Sequence, residues 1–261
     1  MTEQPTSQLS NSSKMATSYS VFTLSVLLLA FSVAHCQYRS ISGGLRLKHI
    51  STSVNYIWGV TTDDRIFKCN RPCNGDWTQI PGALMQLDVG DEEVWGVNSA
   101  HHIYKRPADG SGSWVRIPGA LTHVSASGNG YIWGVNSADN IFKCKKPCLG
   151  APWVGVGGAL KQIDGGHDYV YGVNRDNLIY TRPVDGSGSW RQIPGALKHV
   201  TASSRTEIFG VNTADKTFRC HKPCVGEWEL MEGSLKQCDG TFDSFVGVNS
   251  DNYTFERKTG I

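Results

Sequence analysis

The chain has 261 residues, 39% of them apolar and 10% aromatic, with a formal net charge of +2. That composition belongs to a globular protein rather than a disordered one. The near-neutral balance, without a Lys/Arg run or basic stripe, leaves no footprint for nucleic acid.

Taken in chain order, the first twenty residues are polar and rich in Ser and Thr, with Lys14 their only basic residue and Met15 an alternative start. The apolar-leaning run from Val21 to Ala34 follows. It is short for a bilayer span and is followed by small residues, which suits a secretory signal peptide. Cleavage falls after Ala34 or after Cys36, so residues 1–36 are set apart and residues 37–261 form the mature domain. No later segment is apolar enough to span a membrane. The mature chain is expected to be secreted or stored in secretory granules.

The mature domain is a repeat. Its unit is an aromatic residue, then Gly-Val-Asn, a short polar turn and an apolar–aromatic pair, as in Trp133-Gly134-Val135-Asn136 followed by Ile141-Phe142. The glycine recurs at Gly59, Gly96, Gly134, Gly172, Gly210 and Gly247, in steps of 37 or 38 residues. Each repeat reads as four short strands bounded by turn residues. The first is Leu-Lys-Gln/His-Ile/Val, as in Leu160 to Ile163. The second is the aromatic-Gly-Val-Asn segment, and an Asn-rich hairpin turn leads to the third, such as Ile66-Phe67-Lys68. The fourth starts at a Trp and ends in Pro-Gly, as in Trp190 to Gly195. Nothing shows sustained helical periodicity. Four strands per unit of this length, six times over, predict an all-β, six-bladed propeller. The last repeat stops after Phe255, before any fourth strand, whereas Tyr38 to Leu45 matches Trp77 to Leu84 position for position. The N-terminal strand is therefore predicted to complete the sixth blade and remove the open edge.

Six of the eight cysteines follow a second, alternating pattern, with Cys36 and Cys238 left over. Cys69/Cys73, Cys144/Cys148 and Cys220/Cys224 lie in repeats one, three and five; repeats two and four carry Arg106 to Ser113 and Arg182 to Ser189 at the same place. Structural zinc wants four ligands, each pair offers two thiolates, and a ring holds the pairs apart, so disulfides are expected. Cys238 is a free buried thiol if cleavage removes Cys36, or its partner if it does not.

These motifs resemble the tectonin repeat, shared by fish-egg lectins, slime-mould tectonins and the tachylectins of horseshoe-crab haemocytes. The six repeats, the alternate Cys-x-x-x-Cys pairs and the Arg-Pro-x-Asp-Gly-Ser-Gly-Ser-Trp loop are most similar to the tachylectins, and the resemblance covers essentially all of residues 37–261. It implies a lectin of innate defence that binds lipopolysaccharide and related microbial polysaccharides, agglutinates bacteria and acts beside other defence lectins. Thr61 in place of Asn, Tyr38 in place of Trp, Val246 in place of an aromatic and the extra residue at Ala151-Pro152 depart from the pattern, so the blades are not equivalent.

Trp58, Trp95 and Trp133 have the form of sugar-stacking platforms, but Tyr171, Phe209 and Val246 replace them as a packing series, which favours core. The repeated Asn has an amide suited to a sugar hydroxyl, yet its place at a strand-to-turn junction suits a turn-capping role. The first strands carry Lys48, His49, His123, Lys161, Lys198, His199 and Lys236 at a position near the central channel. Such a ring favours acidic sugars or lipid phosphates through charge-assisted hydrogen bonds; Met85 in the same series argues for a solvated wall instead. Asn252-Tyr253-Thr254 is a glycosylation acceptor on a predicted surface turn. No catalytic constellation, metal spacing or phosphate loop is visible. The chain is thus expected to be a non-enzymatic lectin without cofactor; the alternative is a protein-interaction propeller that binds a partner lectin or an egg or storage protein.

Overall fold

The computed structural model describes residues 37–126, 129–150, 153–202 and 205–258. Residues 1–36, with the expected signal peptide and Cys36, and Ala151-Pro152 lie outside them. Six four-stranded antiparallel sheets make up the described chain, and every regular element in it is a strand. It is a six-bladed propeller.

Blade one is β2 (Leu47–Thr52), β3 (Tyr56–Thr61), β4 (Arg65–Asn70) and β5 (Thr78–Ala83), paired in that order. Blades two to five repeat it, with inner strands β6 (Gln86–Val89), β10 (His123–Ser125), β14 (Gln162–Gly165) and β18 (His199–Thr201). Blade six is β22 (Gln237–Gly240), β23 (Ser244–Val248), β24 (Thr254–Lys258) and, as its outermost strand, β1 (Arg39–Ser40). Arg39 stands opposite Glu256 and Ser40 opposite Phe255, so the sixth blade is split between the two ends of the chain, as the aligned N-terminus predicts. The six inner strands pack against one another round a closed circle.

The core lies between blades rather than inside one. Trp95, Val97 and Ile103 of blade two, for example, pack on Leu121, Val124 and Ile132 of blade three. Trp58, Trp95 and Trp133 are 0% exposed; rings of this size bury ~150–250 Å², about 4–6 kcal/mol of transfer free energy each. They are core residues and not sugar platforms. The glycine beside each is required by packing: a Cβ on Gly59 would strike Leu47 Cδ1, and the same collision with a repeat leucine recurs round the ring.

Two further sequence features have visible work. In blades two to five the fourth-strand tryptophan lies on the last glycine of the blade before it. Trp114 Nε1 donates to Pro81 O at 2.8 Å, where Gly82 has φ +124° and a Cβ would sit 2.9 Å from that nitrogen. Tyr38 takes the same place on Gly233, as its alignment with the tryptophans implies. The Gly-Val-Asn asparagine caps its own turn: Asn136 Oδ1 accepts from Ala138 N and Asn140 N at 3.1 and 2.9 Å. Thr61 Oγ1 does the same for Arg65 N, so that departure is conservative in function.

The alternate loops are equivalent in place and different in chemistry. Disulfides close Cys69–Cys73, Cys144–Cys148 and Cys220–Cys224, with Cα–Cα distances of 5.6, 5.7 and 5.6 Å. In blades two and four an arginine folds over the loop instead, Arg106 Nη2 donating to Gly110 O and Arg182 Nε to Gly186 O. Cys238 is a buried free thiol.

The closing seam has a charged clasp. Arg71, from the first disulfide loop and 6% exposed, donates to Asp243 Oδ1 at 3.0 Å, Ser244 Oγ at 2.6 Å and Glu256 Oε1 at 3.4 Å, all on blade six. Glu256, 3% exposed, also accepts from Arg39 of β1 at 2.6 Å. Removing one member of a buried ion pair costs about 3–5 kcal/mol, whereas an exposed pair contributes about 0–1. Arg71→Ala is therefore expected to lose about 3–5 kcal/mol in urea unfolding of the oxidised protein, and Arg39→Ala, 46% exposed, a much smaller amount. Deleting residues 37–44 should expose the edge of β24 and cause aggregation; a chain of residues 45–261 that melts like one of residues 37–261 would overturn the split-blade account.

Candidate functional site

Three layers of side chains line the axis, and alternation between odd and even blades runs through all of them. In the outer layer Lys48 and Lys198 pair with Asp64 and Asp215, while Lys161 donates to Asn177 Oδ1 at 2.6 Å and Lys236 to Asn252 Oδ1. Each acceptor is the left-handed residue of the same repeat's hairpin, with φ between 60° and 68°. The lysines are thus tied to their own blades; two are neutralised by carboxylates and two rest on neutral amides. Burial pulls Lys161 and Lys236 below the usual lysine range. Asn252, the glycosylation candidate, holds this turn position with its side-chain oxygen engaged.

In the middle layer odd blades supply His49, His123 and His199 and even blades supply Gln86, Gln162 and Gln237. Each glutamine amide pairs with the backbone of the next blade like an extra strand residue: Gln162 Oε1 accepts from Val200 N at 3.0 Å and Nε2 donates to Val200 O at 2.8 Å. Gln86 grips Val124 and Gln237 grips Ile50 in the same way. The three imidazoles meet on the axis edge to face, every pair of ring centres 6.2 Å apart. All six ring nitrogens are sealed from solvent and lack a hydrogen-bond partner in the protein. Burial holds His123 at about 4 and His199 at about 3, and pushes His49 well below the usual value with help from its neighbours. The structure therefore brings the sequence-predicted histidines together, as neutral groups inside the ring.

The third layer is a circuit that the sequence reading missed: Ser51, Asp88, Ser125, Asp164, Thr201 and Asp239, in that order round the axis. Each carboxyl bridges the hydroxyls of both neighbouring blades at 2.6–3.1 Å. Each also accepts a backbone N–H from the following blade, at Ala126, Ala202 or Thr52. Three hydroxyl protons cannot serve six oxygen–oxygen contacts, so the rest close only when carboxyls carry protons. Burial and repulsion from Asp88 push in that direction, raising Asp239 to about 6 and Asp164 well above the usual range. The sequence signal is the Ser/Asp alternation two residues after each His or Gln.

Outside the axis, two grooves of the same make open at the junctions of blades one and two and of blades three and four. The first, about 330 Å³, is walled by Tyr104 and Trp114 over Gly82 and Leu84; the second, about 300 Å³, by Tyr180 and Trp190 over Gly158 and Leu160. Arg106 and Arg182 lie 5.8 Å over the two indoles. Asn98 and Asn174 border the grooves with their oxygens engaged in the turns, and the amide Nδ2 is not used by the turn. Aromatic walls with a polar amide at the rim can stack a ring and donate to its hydroxyls. A larger hollow of about 440 Å³, bordered by Val54, Asp91, His167, Arg205 and Phe242, opens beyond the carboxyl layer.

A family model described as the Tectonin domain matches residues 16–183, more than half of the chain. The chain belongs to the tectonin domain family. Comparison with curated protein sequences gave no match. Among solved structures the tectonin chain is similar to U3-55K, with TM-score 0.64 at 9% identity, covering 86% of this chain and 99% of that one. It is also similar to yeast RCC1 (Prp20) bound to Kap60, with 0.57 at 9%, covering 80% and 69%, and to YCF48 bound to D1 peptide, with 0.55 at 14%, covering 86% and 78%. At such identities these likenesses show the propeller fold alone.

The raised Asp239 carboxyl makes a signed prediction. A group that binds its proton more tightly when folded contributes stability that is full below about pH 4 and is lost as pH rises through about 6. Asp239→Asn should remove this component, so the difference in thermal midpoint between parent and variant should narrow as pH rises from 4 to 7. The histidines titrate in the opposite sense in both proteins and cancel in the difference. A difference independent of pH would show that Asp239 is ionised throughout.

Proposed function

We propose that this tectonin-family chain is a secreted, non-enzymatic lectin, similar to the horseshoe-crab tachylectins, that binds microbial surface glycans such as lipopolysaccharide through several sites on one rigid ring. The observation that carries the reading is the pair of matching grooves with Tyr104/Trp114 and Tyr180/Trp190. A groove that recurs with the same residues at alternate blade junctions suits a repeating ligand. Linked weak sites raise avidity by roughly 10²–10⁴ when the surface presents several copies. The three disulfides fit an oxidising, extracellular setting. Of the channel lysines, Lys161 and Lys236, which rest on neutral amides, are the ones left to attract anionic sugar or phosphate.

A second reading has its own support. Val54 and Phe242 are 47% and 53% exposed at the rim of the wider hollow, and two propellers of similar fold are seen with protein or peptide partners, Kap60 and D1 peptide. A protein-interaction role on that face follows if no glycan is bound.

Retention on a lipopolysaccharide-coated surface, with free sugar as competitor, tests the proposal. Aromatic stacking is worth about 0.5–1.5 kcal/mol per site, so Tyr104→Ala with Tyr180→Ala should lower retention at least about tenfold through loss of linked contacts, with the fold intact by thermal unfolding. Lys161→Ala with Lys236→Ala should flatten the salt dependence of binding. Parent protein that binds no microbial polysaccharide in a sugar-competable way would favour the protein-interaction reading.

A further inference from the structure

The three axial histidines are unusual in what they lack. Buried polar atoms are almost always hydrogen-bonded, and each exception calls for a cause. Here six imidazole nitrogens are sealed and without protein partners, at one point of the molecule. One nitrogen from each of His49, His123 and His199 lies within 4.8 Å of the other two. The glutamines of the same layer face a similar environment and are fully engaged with the neighbouring backbone. Within this layer the unpartnered polar atoms are therefore those of the histidines, and the others among the described residues, Tyr38 Oη, Arg71 Nε and Thr217 Oγ1, lie elsewhere.

We propose that His49, His123 and His199 form a binding site for one divalent transition-metal ion on the propeller axis. Three neutral imidazoles suit zinc, copper or nickel, and a three-histidine set leaves a fourth position open. The geometry is close to what such an ion needs. Ring centres 6.2 Å apart place each centre about 3.6 Å from the axis. A metal bound at about 2.0–2.1 Å to one nitrogen per ring lies about 3.2 Å from each ring centre. An inward shift of less than half an ångström, with rotation about the soft χ2 of histidine, completes the set.

The surroundings fit the fourth position. A cavity of about 10 Å³ is bounded by the three histidines, the three glutamines and Asp88, Asp164 and Asp239, with Ile50, Thr201 and the Cys238 thiol completing its wall. That volume is about one water, so beside an ion held between the three rings there is room for a single water and not for a larger ligand. The three carboxyls on the cavity wall provide acceptors toward which such a water can point, and any negative charge they hold favours a cation. The second nitrogen of each ring has no carboxylate or carbonyl behind it in the protein. Absence of that bracing typically costs 10–100-fold in affinity, so the ion is held less tightly than in a braced zinc site. The site is separate from the aromatic grooves and independent of the lectin reading.

The test uses the mature, oxidised chain refolded with one equivalent of Zn²⁺, Cu²⁺ or Ni²⁺, then freed of loose metal by gel filtration. Elemental analysis should find one ion per chain with at least one of the three. His49→Gln, His123→Gln and His199→Gln place in this layer the residue the even blades already carry. Each should lower the retained metal at least tenfold with the circular dichroism of the parent, while surface His167→Gln leaves it unchanged. Co²⁺ loaded into the parent protein provides a readout that needs no variant, the visible absorption of a tetrahedral nitrogen-ligated centre. Retention of none of the metals by the parent, equal retention by the glutamine variants, or an octahedral Co²⁺ spectrum would each overturn the site.

Discussion

Closure of the ring is the constraint on which the rest of this structure depends. No blade has a core of its own: each buries its apolar faces only against the blade before and the blade after it, as with Trp95 of blade two on Leu121 of blade three. A missing contact at one seam would leave two apolar faces and a strand edge in water. The seam is therefore reinforced by three unlike devices at once. These are the β1–β24 ladder, Tyr38 seated on Gly233, and the Arg71–Glu256–Arg39 ion network. The last is absent from the sequence pattern of any single repeat, because it joins the two ends of the chain.

Within the closed ring the true unit of symmetry is a pair of blades. Even blades reach forward with Gln and Asp to the backbone of the odd blade that follows, and odd blades answer with Ser or Thr hydroxyls to carboxyls on both sides. The disulfide loops mark odd blades and the Arg-folded loops mark blades two and four, on the same alternation. The aromatic grooves share it, because Tyr104 and Tyr180 and the Arg-backed tryptophans occur only in blades two and four. Packing and covalent bracing thus follow one odd–even alternation, which is threefold in the axial layers and the disulfides and is interrupted at blade six for the grooves.

Much of this was legible before any coordinates. The 37- or 38-residue step and the incomplete last repeat disclosed the blade number and the split blade, because strand period and turn residues are local properties. The roles of Trp58, Trp95 and Trp133 followed from their replacement by other bulky apolar residues. The axial site was half legible. His49, His123 and His199 were visible as a recurring position, but their mutual contact was not, since residues about 75 positions apart meet only through the geometry of the ring. The Ser/Asp circuit was overlooked because each of its residues looks like ordinary strand-end polarity until its neighbours from other blades are in place.

The sequence by itself determined the fold and the disulfide pairing, which rest on spacing along the chain, and its repeat motifs carried the resemblance to the tectonin family. Only the tertiary structure decided what the polar repeat residues do. It tied Lys48 and Lys198 to Asp64 and Asp215, sealed the three imidazoles on the axis and set the tyrosine–tryptophan grooves at alternate seams. The physical reason is that charge, burial and hydrogen bonding at these positions are set by side chains one blade or more away, and a repeat read on its own contains none of them.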